Sequence, residues 1–365
     1  GAGASADLTI TASSATAGSL AGDLNLALTS LAKTGTGLAD VDLTAGKFTT
    51  TGAVYDYAKP TYVATTLDFG NVRAGAIVAA KGIAVSNLVA TNADFQEALA
   101  VASSVTNAKL TTGSLASLVA GPNAGNISVV ASTQAAGSLA DTVSLGFTSL
   151  AKAGTGLLDS SQGTGSVSVT GAVYDLARAT VASTLGLGNV RTTATGKINI
   201  ANTVITSSTY QDSLDVVASS SNANLTVGTV GNLLAGTNAD LTVTAATAGD
   251  LAANVSLALT SNANKVAGLS DESLNAKTVA VTGAAYDYAK VAVTNAPLAF
   301  GNVRKGATVA NQTLTFGNTT ITDANYQDAL LVATTANNSK LTATGATIAA
   351  GTTGDLTVAI STATA

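Results

Sequence analysis

The sequence predicts an all-β chain built from antiparallel β-sandwich domains in tandem. Ala, Thr, Ser, Gly, Val, Leu and Asn dominate the composition, and small or β-branched residues favour strands and turns over helices. Short alternating segments such as residues 24–29 place Leu24, Leu26 and Leu28 on one face of a strand. Glycine-rich turns separate these segments, which is the pattern expected for a sandwich of short strands.

A junction motif recurs at the spacing of a small domain. The motif Thr-Gly-Ala-x-Tyr-Asp-x-Ala contains Tyr55, Tyr174 and Tyr286, at intervals of 119 and 112 residues. Each copy is followed by a Leu-x-x-Gly-Asn-Val-Arg segment, at residues 67–73, 185–191 and 298–304. The period is longer than the 20–50 residues of a solenoid repeat and suits a domain repeated in tandem. A β-helix, whose coils would repeat at short intervals, is the rival β fold.

Each copy is predicted to contain the same strands in the same order. Helix should occupy about a tenth of the chain or less, since Gly or Thr interrupts every helical stripe. Asn87, Asn202 and Asn318 each follow the second strand of a copy and are interpreted as turn residues. The predicted strands are residues 8–11, 24–29 and 48–55; 67–73, 77–85, 95–101, 127–129, 143–148 and 167–174; 185–191, 197–201, 210–217, 241–243, 255–260 and 279–286; and 298–304, 314–316, 326–332 and 356–358.

Composition excludes several functional classes. Charged residues make up 10% of the chain, against about 25% in ordinary soluble proteins. The net charge of −5 offers no basic surface for nucleic acid. The chain has no His and no Cys, so the usual catalytic bases and thiol nucleophiles are absent. We therefore predict that the chain is not an enzyme, with no catalytic residue and no cofactor-binding residue.

The composition also bears on location. The chain has no Met, which predicts that its first residue is not a translation start and that the chain is processed or is an excerpt. No uninterrupted apolar run reaches the 18 residues of a membrane span. An acidic, Thr/Ser/Asn-rich chain of this kind is predicted to be extracellular or at the cell surface.

The recurring motifs resemble one known family. Leu-x-Phe/Leu-Gly-Asn-Val-Arg, the later Tyr/Phe-Gln-Asp/Glu-x-Leu and the closing Thr-Gly-x-x-Tyr-Asp are similar to the choice-of-anchor D, Hydin-like type of Ig-like repeat. Large secreted bacterial surface proteins, including ones with PEP-CTERM sorting tails, carry such repeats. The resemblance implies a seven-stranded Ig-like sandwich that begins at the Leu-Asp-Phe-Gly strand and ends at the Tyr-Asp strand. The chain has no sorting tail, and residues 185–188 replace the aromatic residue of the first strand.

Three sets of recurring polar residues are candidates for binding. Acidic residues before the last strand of each copy offer oxygen ligands for calcium, although acids also simply solvate turns; they are Asp40, Asp42, Asp159, Asp271 and Glu272. Arg73, Arg191 and Arg304 recur with Glu97, Asp212 and Asp328, which indicates an ion pair that ties two strands or a linker together. Tyr55, Tyr174 and Tyr286 are interpreted as junction residues in preference to a carbohydrate-binding platform.

The domain limits implied by the resemblance leave two incomplete copies. Residues 60–177 and 178–289 are complete domains. Residues 1–58, the head segment, hold the last strands of a domain that has no beginning. Residues 290–365, the tail segment, hold the first strands of a domain that has no end. Residues 7–17 and 355–365 are copies of the same strand, and either could fill that one place. A sheet edge left open is a template for another chain.

We therefore predict a homopolymer in which the tail of one subunit is completed by the head of the next. The partners would be copies of the chain itself, with other cell-surface components as further possible partners, and the buried area should exceed roughly 2,000 Å². The predicted interface residues are Leu8, Ile10, Leu24, Leu26, Leu28 and Val54 of the head and Leu298, Phe300, Leu314, Phe316, Leu330, Leu356, Val358 and Ile360 of the tail. The alternatives are the stalk of a longer adhesin, cropped at arbitrary points, and a carbohydrate-binding sandwich.

Overall fold

The computed structural model describes residues 3–63, 65–294 and 297–363 and consists almost entirely of β-strands. Helix in these ranges is confined to three single turns of 3-10 helix: η1 (Ala93–Phe95), η2 (Ser208–Tyr210) and η3 (Ala324–Tyr326). The predicted all-β class and very low helix content are confirmed. The chain forms two compact units, Gly1–Tyr174 and Asp175–Ala365.

The first unit begins with the head segment, whose strands pair, among the described residues, only with one another. β1 pairs with β6, β2 with β5 and β3 with β4, all antiparallel. These pairs form three two-stranded sheets. The strands are β1 (Gly18–Ser19), β2 (Gly22–Leu26), β3 (Thr29–Ser30), β4 (Val41–Asp42), β5 (Gly46–Thr50) and β6 (Ala53–Val54).

The rest of the first unit is a two-sheet sandwich. One sheet has the order β11-β13-β9-β7, and the other contains β12-β10-β15-β16-β14 with β8 beside β16. The strands are β7 (Pro60–Tyr62), β8 (Leu67–Arg73), β9 (Lys81–Asn87), β10 (Ala98–Ser104), β11 (Leu110–Thr112), β12 (Leu115–Leu118), β13 (Ala124–Ala131), β14 (Gly137–Ser138), β15 (Asp141–Leu150) and β16 (Ser160–Tyr174).

The second unit begins with a sandwich of the same topology. One sheet has the order β17-β19-β23-β21, and the other contains β18-β26-β25-β20-β22 with β24 beside β26. The strands are β17 (Ala179–Val181), β18 (Thr184–Arg191), β19 (Thr195–Asn202), β20 (Ser213–Ser220), β21 (Leu225–Val227), β22 (Thr229–Leu233), β23 (Asn238–Ala245), β24 (Gly249–Asp250), β25 (Ala253–Asn262) and β26 (Glu272–Tyr286).

The tail segment follows in the second unit and forms one full sheet and a fragment of another. The full sheet has the order β27-β28-β32-β30, matching β17-β19-β23-β21, and β29 pairs with β31. The strands are β27 (Val291–Thr294), β28 (Gln312–Asn318), β29 (Leu330–Val332), β30 (Leu341–Ala343), β31 (Ala346–Ile348) and β32 (Thr353–Ile360).

Each complete sandwich closes on its own hydrophobic core. Alternate residues of the strands point inward, and both clusters consist mainly of Val, Leu and Ile. The first cluster runs from Ala58 to Val173 and the second from Ala177 to Ala285. These are Ig-like sandwiches, and each contains one parallel pair: β8 lies parallel to β16, and β18 lies parallel to β26. The second strand of each sandwich is therefore held by the last, while the first strand, β7 or β17, lies in the other sheet.

Several predicted strands differ from the structure. The strand predicted at 77–85 begins only at Lys81, because its ladder with β13 starts at the Lys81–Val129 pair, and Ile77 is fully exposed. The predicted strands 95–101, 210–217 and 326–332 each begin with a 3-10 turn, and the strand starts about three residues later. The aromatic residue that opens each segment is the last residue of the 3-10 turn instead of the first residue of the strand.

Two predicted strands, both within the described part of the chain, are not strands. Residues 8–11 form no ladder, and neither do residues 298–304. In the complete sandwiches the equivalent strands are β13 and β23 for the first segment and β8 and β18 for the second. Those strands are held by β9 and β11, by β19 and β21, and by β16 or β26. Both segments have the residue alternation of a strand, but no described segment of the same chain pairs with them as a strand.

Candidate assembly surfaces and junctions

The head segment carries an apolar face that the complete sandwiches bury. The junction motif relates Leu28 to Phe147 and Leu259, and Phe48 to Val167 and Val279. Leu28 is 44% exposed and Phe48 56% exposed, whereas the equivalent residues of both sandwiches are at most 4% exposed. Of the other predicted interface residues in the head, Leu24, Leu26 and Val54 are half-buried, and Leu8 and Ile10 are exposed.

The tail segment has the complementary deficiency. Among its predicted interface residues, Leu298, Phe300, Leu314, Phe316, Leu330, Val358 and Ile360 are half-buried. The counterparts of Leu314, Phe316, Leu330 and Val358 on β9, β10 and β13, and on β19, β20 and β23, are buried. Those of Leu298 and Phe300 are buried on β8 and half-buried on β18, and that of Ile360 is half-buried on β13 and buried on β23. Only Leu356 of the predicted set is buried, at 6% exposure. The tail therefore has one covered layer and one open layer.

The strand lengths show which strands the tail lacks. In the second sandwich β20 has eight residues and pairs on one side with β25 and on the other with β22. Its counterpart β29 has three residues and pairs only with β31 among the described strands. The edge of β29 that would receive a β25 equivalent is open, and an open edge can accept a strand from another chain.

A glycine in the last strand of each sandwich allows close approach of the parallel strand, and the equivalent glycine of the head has no such strand beside it among the described residues. Gly171 and Gly283 have φ of +133° and +147°, and a Cβ at either would lie 2.7 or 2.5 Å from the carbonyl oxygen of Gly70 or Gly188 on the parallel strand. Gly52, the equivalent residue of the head, has φ of +134°, but the closest atom to its Cβ position is Leu20 Cδ1, at 3.7 Å. The backbone of the head is shaped for a parallel strand that the described residues of its unit do not place there.

The duplicated strand is used once within the described residues. Residues 353–360 form β32, which pairs with β28 and β30. Thr362 continues the match, since its hydroxyl donates to Ala307 O as Thr133 Oγ1 donates to Ala76 O. Residues 7–17 form no part of a sheet, and residues 364 and 365, the end of the second copy, lie outside the described residues. The tail's own copy thus occupies the shared place.

A backbone bridge connects consecutive copies at each junction. In the first unit, Asp56 N donates to Phe95 O (2.8 Å) and Glu97 N donates to Asp56 O (2.9 Å). In the second unit, Asp287 N donates to Tyr326 O (2.9 Å) and Asp328 N donates to Asp287 O (3.0 Å). The residue after each junction tyrosine therefore forms a single parallel β-bridge with the glutamine of the next copy.

A buried asparagine fixes each junction, a role that the sequence analysis missed. Asn202 is fully buried; its amide donates to Asp212 O (2.9 Å) and Leu233 O (3.0 Å), and its Oδ1 accepts from Arg178 N (3.0 Å) and Gln211 Nε2 (3.0 Å). Asn87 and Asn318 make the same set of contacts. The interpretation of these residues as turn residues is wrong. The available signal was the constant spacing of nine residues to Gln96, Gln211 and Gln327.

The recurring arginine binds the acid of the following copy. Arg191 Nη2 lies 2.8 Å from Asp328 Oδ2, its Nη1 donates to Asp287 O (3.4 Å), and its guanidinium carbon lies 4.3 Å from the centre of the Tyr288 ring. The hydrogen bond that Arg191 donates to the Asp328 carboxylate raises the pKa of Arg191 above its ordinary value. The predicted pair of Arg191 with Asp212 is wrong, because the arginine lies at the end of its sandwich and faces the next copy. Stacking on an aromatic ring and charge-assisted hydrogen bonding together hold the guanidinium.

The junction tyrosines pack against an aromatic residue of the next copy. The ring centroids of Tyr55 and Phe95 are 5.8 Å apart, and those of Tyr286 and Tyr326 are 5.6 Å apart. Lys152 Nζ lies 5.5 Å from the Tyr55 ring centre. At these distances the rings interact with each other, which leaves one face of each ring committed to the junction.

The acids considered for calcium close their hairpin loops. Asp40, Asp159 and Asp271 each accept a hydrogen bond from the backbone amide eight residues earlier, at 2.7–2.8 Å. Asp42 accepts from Thr29 Oγ1 (2.9 Å), and Glu272 lies at the first position of β26. In the described part of the chain, no three acidic side chains converge as a metal site would require. The geometry gives these aspartates a role in loop closure.

Comparison with known proteins yields structural likeness only. No protein-family model matches the chain, and no curated protein matches it significantly. The surface-layer protein SbsC, domains 1–6, has a TM-score of 0.25 and 12% identity over 93% of this chain and 44% of its own. The human desmocollin-1 ectodomain has a TM-score of 0.28 and 9% identity over 89% and 57%.

A titin fragment has a TM-score of 0.24 and 13% identity over 62% of this chain and 98% of its own. None of the helices in the described ranges has the length and apolar character needed to cross a membrane.

Proposed function

We propose that the chain is a structural subunit of an extracellular filament that polymerises head to tail. The supporting observation is that the head and tail segments each lack the layer that the other contains. β1 to β6 correspond to β24, β25 and β26 of the second sandwich, while β27 to β32 and residues 298–304 correspond to β17 to β23. Together they hold every strand of a complete copy.

The two complete sandwiches specify the register of this composite domain. In them Leu99 lies opposite Ser149 and Val101 opposite Phe147; Leu214 lies opposite Ser261 and Val216 opposite Leu259. Transferred through the repeat, Val332 of one subunit lies opposite Leu28 of the next. Strand addition of this kind gives affinity through main-chain hydrogen bonds and specificity through alternate side chains. Both sandwiches predict the same register, which makes the proposal precise enough to test.

Closure of the composite core would supply the free energy of assembly. Burying an exposed Leu or Phe side chain contributes about 1.5–3 kcal/mol, and the head alone presents several such residues. An interface of this type resembles a domain core divided between two chains and is expected to be obligate. Because the contact is heterologous and does not close by two-fold symmetry, it propagates as an open filament. Low charge and the absence of Cys and His suit a chemically durable extracellular polymer.

The test uses two complementary deletions. A chain lacking residues 1–58 keeps both sandwiches and the tail, and a chain lacking residues 290–365 keeps both sandwiches and the head. We expect the full chain to form fibres visible by negative-stain electron microscopy, each deletion to remain monomeric in sedimentation velocity, and the mixture to give a 1:1 complex. A head-deleted chain that still forms fibres by itself, or a mixture that stays monomeric, would contradict the proposal.

A further inference from the structure

Asp328, the acid that pairs with Arg191, has a counterpart in the first sandwich. That counterpart, Glu97, is not paired with an arginine among the described residues. Glu97 occupies the position of Asp328 in the repeat, immediately after the junction glutamine. Its side chain is 3% exposed, and Oε2 accepts a hydrogen bond from Ser149 Oγ at 2.6 Å. Among the described residues, no Lys or Arg lies within ion-pair distance of Glu97. A carboxylate so deeply buried normally has a charged or multiple hydrogen-bonding partner.

Glu97 also borders an open space. It lines a cavity of about 640 Å³ together with Gln96 and Lys152. The Lys152 amine, although it lines the same cavity, is directed elsewhere: its Nζ donates to Asp94 O at 3.3 Å and lies over the Tyr55 ring. The cavity therefore presents a buried carboxylate oxygen acceptor to an incoming group.

The tail segment carries an exposed arginine, Arg304, that forms no ion pair among the described residues. Arg304 closes the Leu-x-Phe-Gly-Asn-Val-Arg segment, as Arg191 does in the second sandwich. In the complete sandwiches, the arginine lies opposite the junction tyrosine in the parallel ladder, Arg73 with Tyr174 and Arg191 with Tyr286. The proposed register thus sets Arg304 of one subunit opposite Tyr55 of the next.

The remaining parts of the Arg191 site are present beyond Tyr55. Tyr57 stands two residues after the junction tyrosine, as Tyr288 does, and the two rings are similarly exposed, at 60% and 66%. Asp56 O accepts from Glu97 N just as Asp287 O accepts from Asp328 N. A guanidinium arriving at this place would meet a ring, a backbone carbonyl and a carboxylate.

We propose that Arg304 of one subunit binds the Glu97 carboxylate of the next subunit and stacks on the Tyr57 ring of that subunit. The inference rests on the proposed filament and extends it, because the contact lies beyond the composite domain and on the first complete sandwich. The ion pair would fix the joint between these two domains, as the Arg191–Asp328 pair fixes the joint that follows the second sandwich.

A double-mutant cycle on assembled fibres tests the pairing. Arg304→Gln and Glu97→Gln are each expected to raise the critical concentration for assembly about tenfold or more, and the double variant is expected to be no weaker than the weaker single one. Arg191→Gln serves as the matched control, since it acts within one chain and its effect should add to that of Glu97→Gln. Additive effects of Arg304→Gln and Glu97→Gln in fibres that otherwise form would overturn the inference while leaving the filament intact.

A chemical readout covers the case in which Glu97→Gln fails to fold. In the Arg304→Lys variant, carbodiimide should couple the new amine to Glu97, and mass spectrometry of isotopically mixed fibres should find the linked peptides between subunits. Fibres of this variant that give other intersubunit linkages without this one would refute the contact. A wild-type chain that forms no fibres would instead remove the proposed function on which the contact rests.

Discussion

Replacement of Leu28 by Ala should weaken fibre assembly while leaving the free energy of unfolding of the isolated subunit almost unchanged. Leu28 is 44% exposed in the subunit, whereas Leu259, the same residue type at the same position of the second sandwich, is 4% exposed. Truncation of a buried Leu to Ala costs about 2–5 kcal/mol. Leu259→Ala should therefore lower the free energy of unfolding of the second unit by about that amount. Leu28→Ala removes contacts from a side chain already half in water and should cost the free subunit about 1 kcal/mol or less.

The cost at Leu28 should appear in the polymer instead. If assembly buries Leu28 as the sandwich buries Leu259, the same 2–5 kcal/mol is lost from the subunit interface, which corresponds to an affinity about 30-fold to several thousand-fold weaker. The critical concentration, measured by sedimentation of fibres over a dilution series, should rise accordingly. Chemical unfolding of dilute subunits supplies the stability measurement.

Asn25→Ala is the matched control for this experiment. Asn25 lies on β2 between Leu24 and Leu26 and points to the opposite, exposed face, so its removal should change neither measurement appreciably. A Leu28→Ala subunit that assembles at the wild-type critical concentration would refute the burial of this face in the fibre. So would a loss of subunit stability equal to that of Leu259→Ala.

Three further predictions test register, junctions and pH dependence. The chain has no Cys, so Thr29→Cys with Leu331→Cys should give an intersubunit disulfide ladder on a non-reducing gel, because the repeat places these residues directly opposite; Thr29→Cys with Ala333→Cys, displaced by two residues, should cross-link far less. Asn202→Ala leaves buried backbone and side-chain groups without partners, at about 1–3 kcal/mol each, and thermal unfolding of the second unit should shift down by several degrees or more. Hydrogen bonds from the Asn107 and Thr106 amides lower the pKa of Asp141 to about 2; this contribution is present above the unfolded value of 3.8 and is lost as pH falls toward 2, so Asp141→Asn should flatten acid unfolding of the first unit between those values, and an unchanged acid titration would contradict the assignment.

Sequence periodicity predicted the β class because neighbouring residues alone determine which side chains share one face of a strand. Leu24, Leu26 and Leu28 share a face in any strand, and such alternation recurs in every copy. What the periodicity could not supply was the partner: residues 298–304 have a strand pattern, yet their ladder in the complete sandwiches is parallel to a segment about 100 residues later. A nonlocal hydrogen-bonding partner leaves no mark on the segment itself.

The junction residues show the same limit at the level of single side chains. The sequence paired Arg191 with Asp212 because both recur in each copy, but recurrence does not state whether the contact is made within a copy or with the next one. The structure places Arg191 at Asp328, one repeat later. Asn202 was interpreted by its common use in turns, whereas its burial and four hydrogen bonds depend on segments brought together by folding.

The parallel pairing of β8 with β16 and of β18 with β26 has a mechanical consequence. When a sandwich is pulled along the chain, tension enters through β17, which is paired with β19, and passes to the amino end of β18; it leaves through the carboxyl end of β26. The loaded ends of β18 and β26 lie at opposite ends of one parallel ladder. All of the hydrogen bonds between the two strands are then loaded together in shear, and none can open ahead of the others as in an unzipping hairpin. In a fibre, residues 298–304 of one subunit and β5–β6 of the next would form the same ladder across the noncovalent joint. The composite domain, through which force passes from one subunit to the next, would then be loaded in the same shear geometry as the covalently continuous domains on either side.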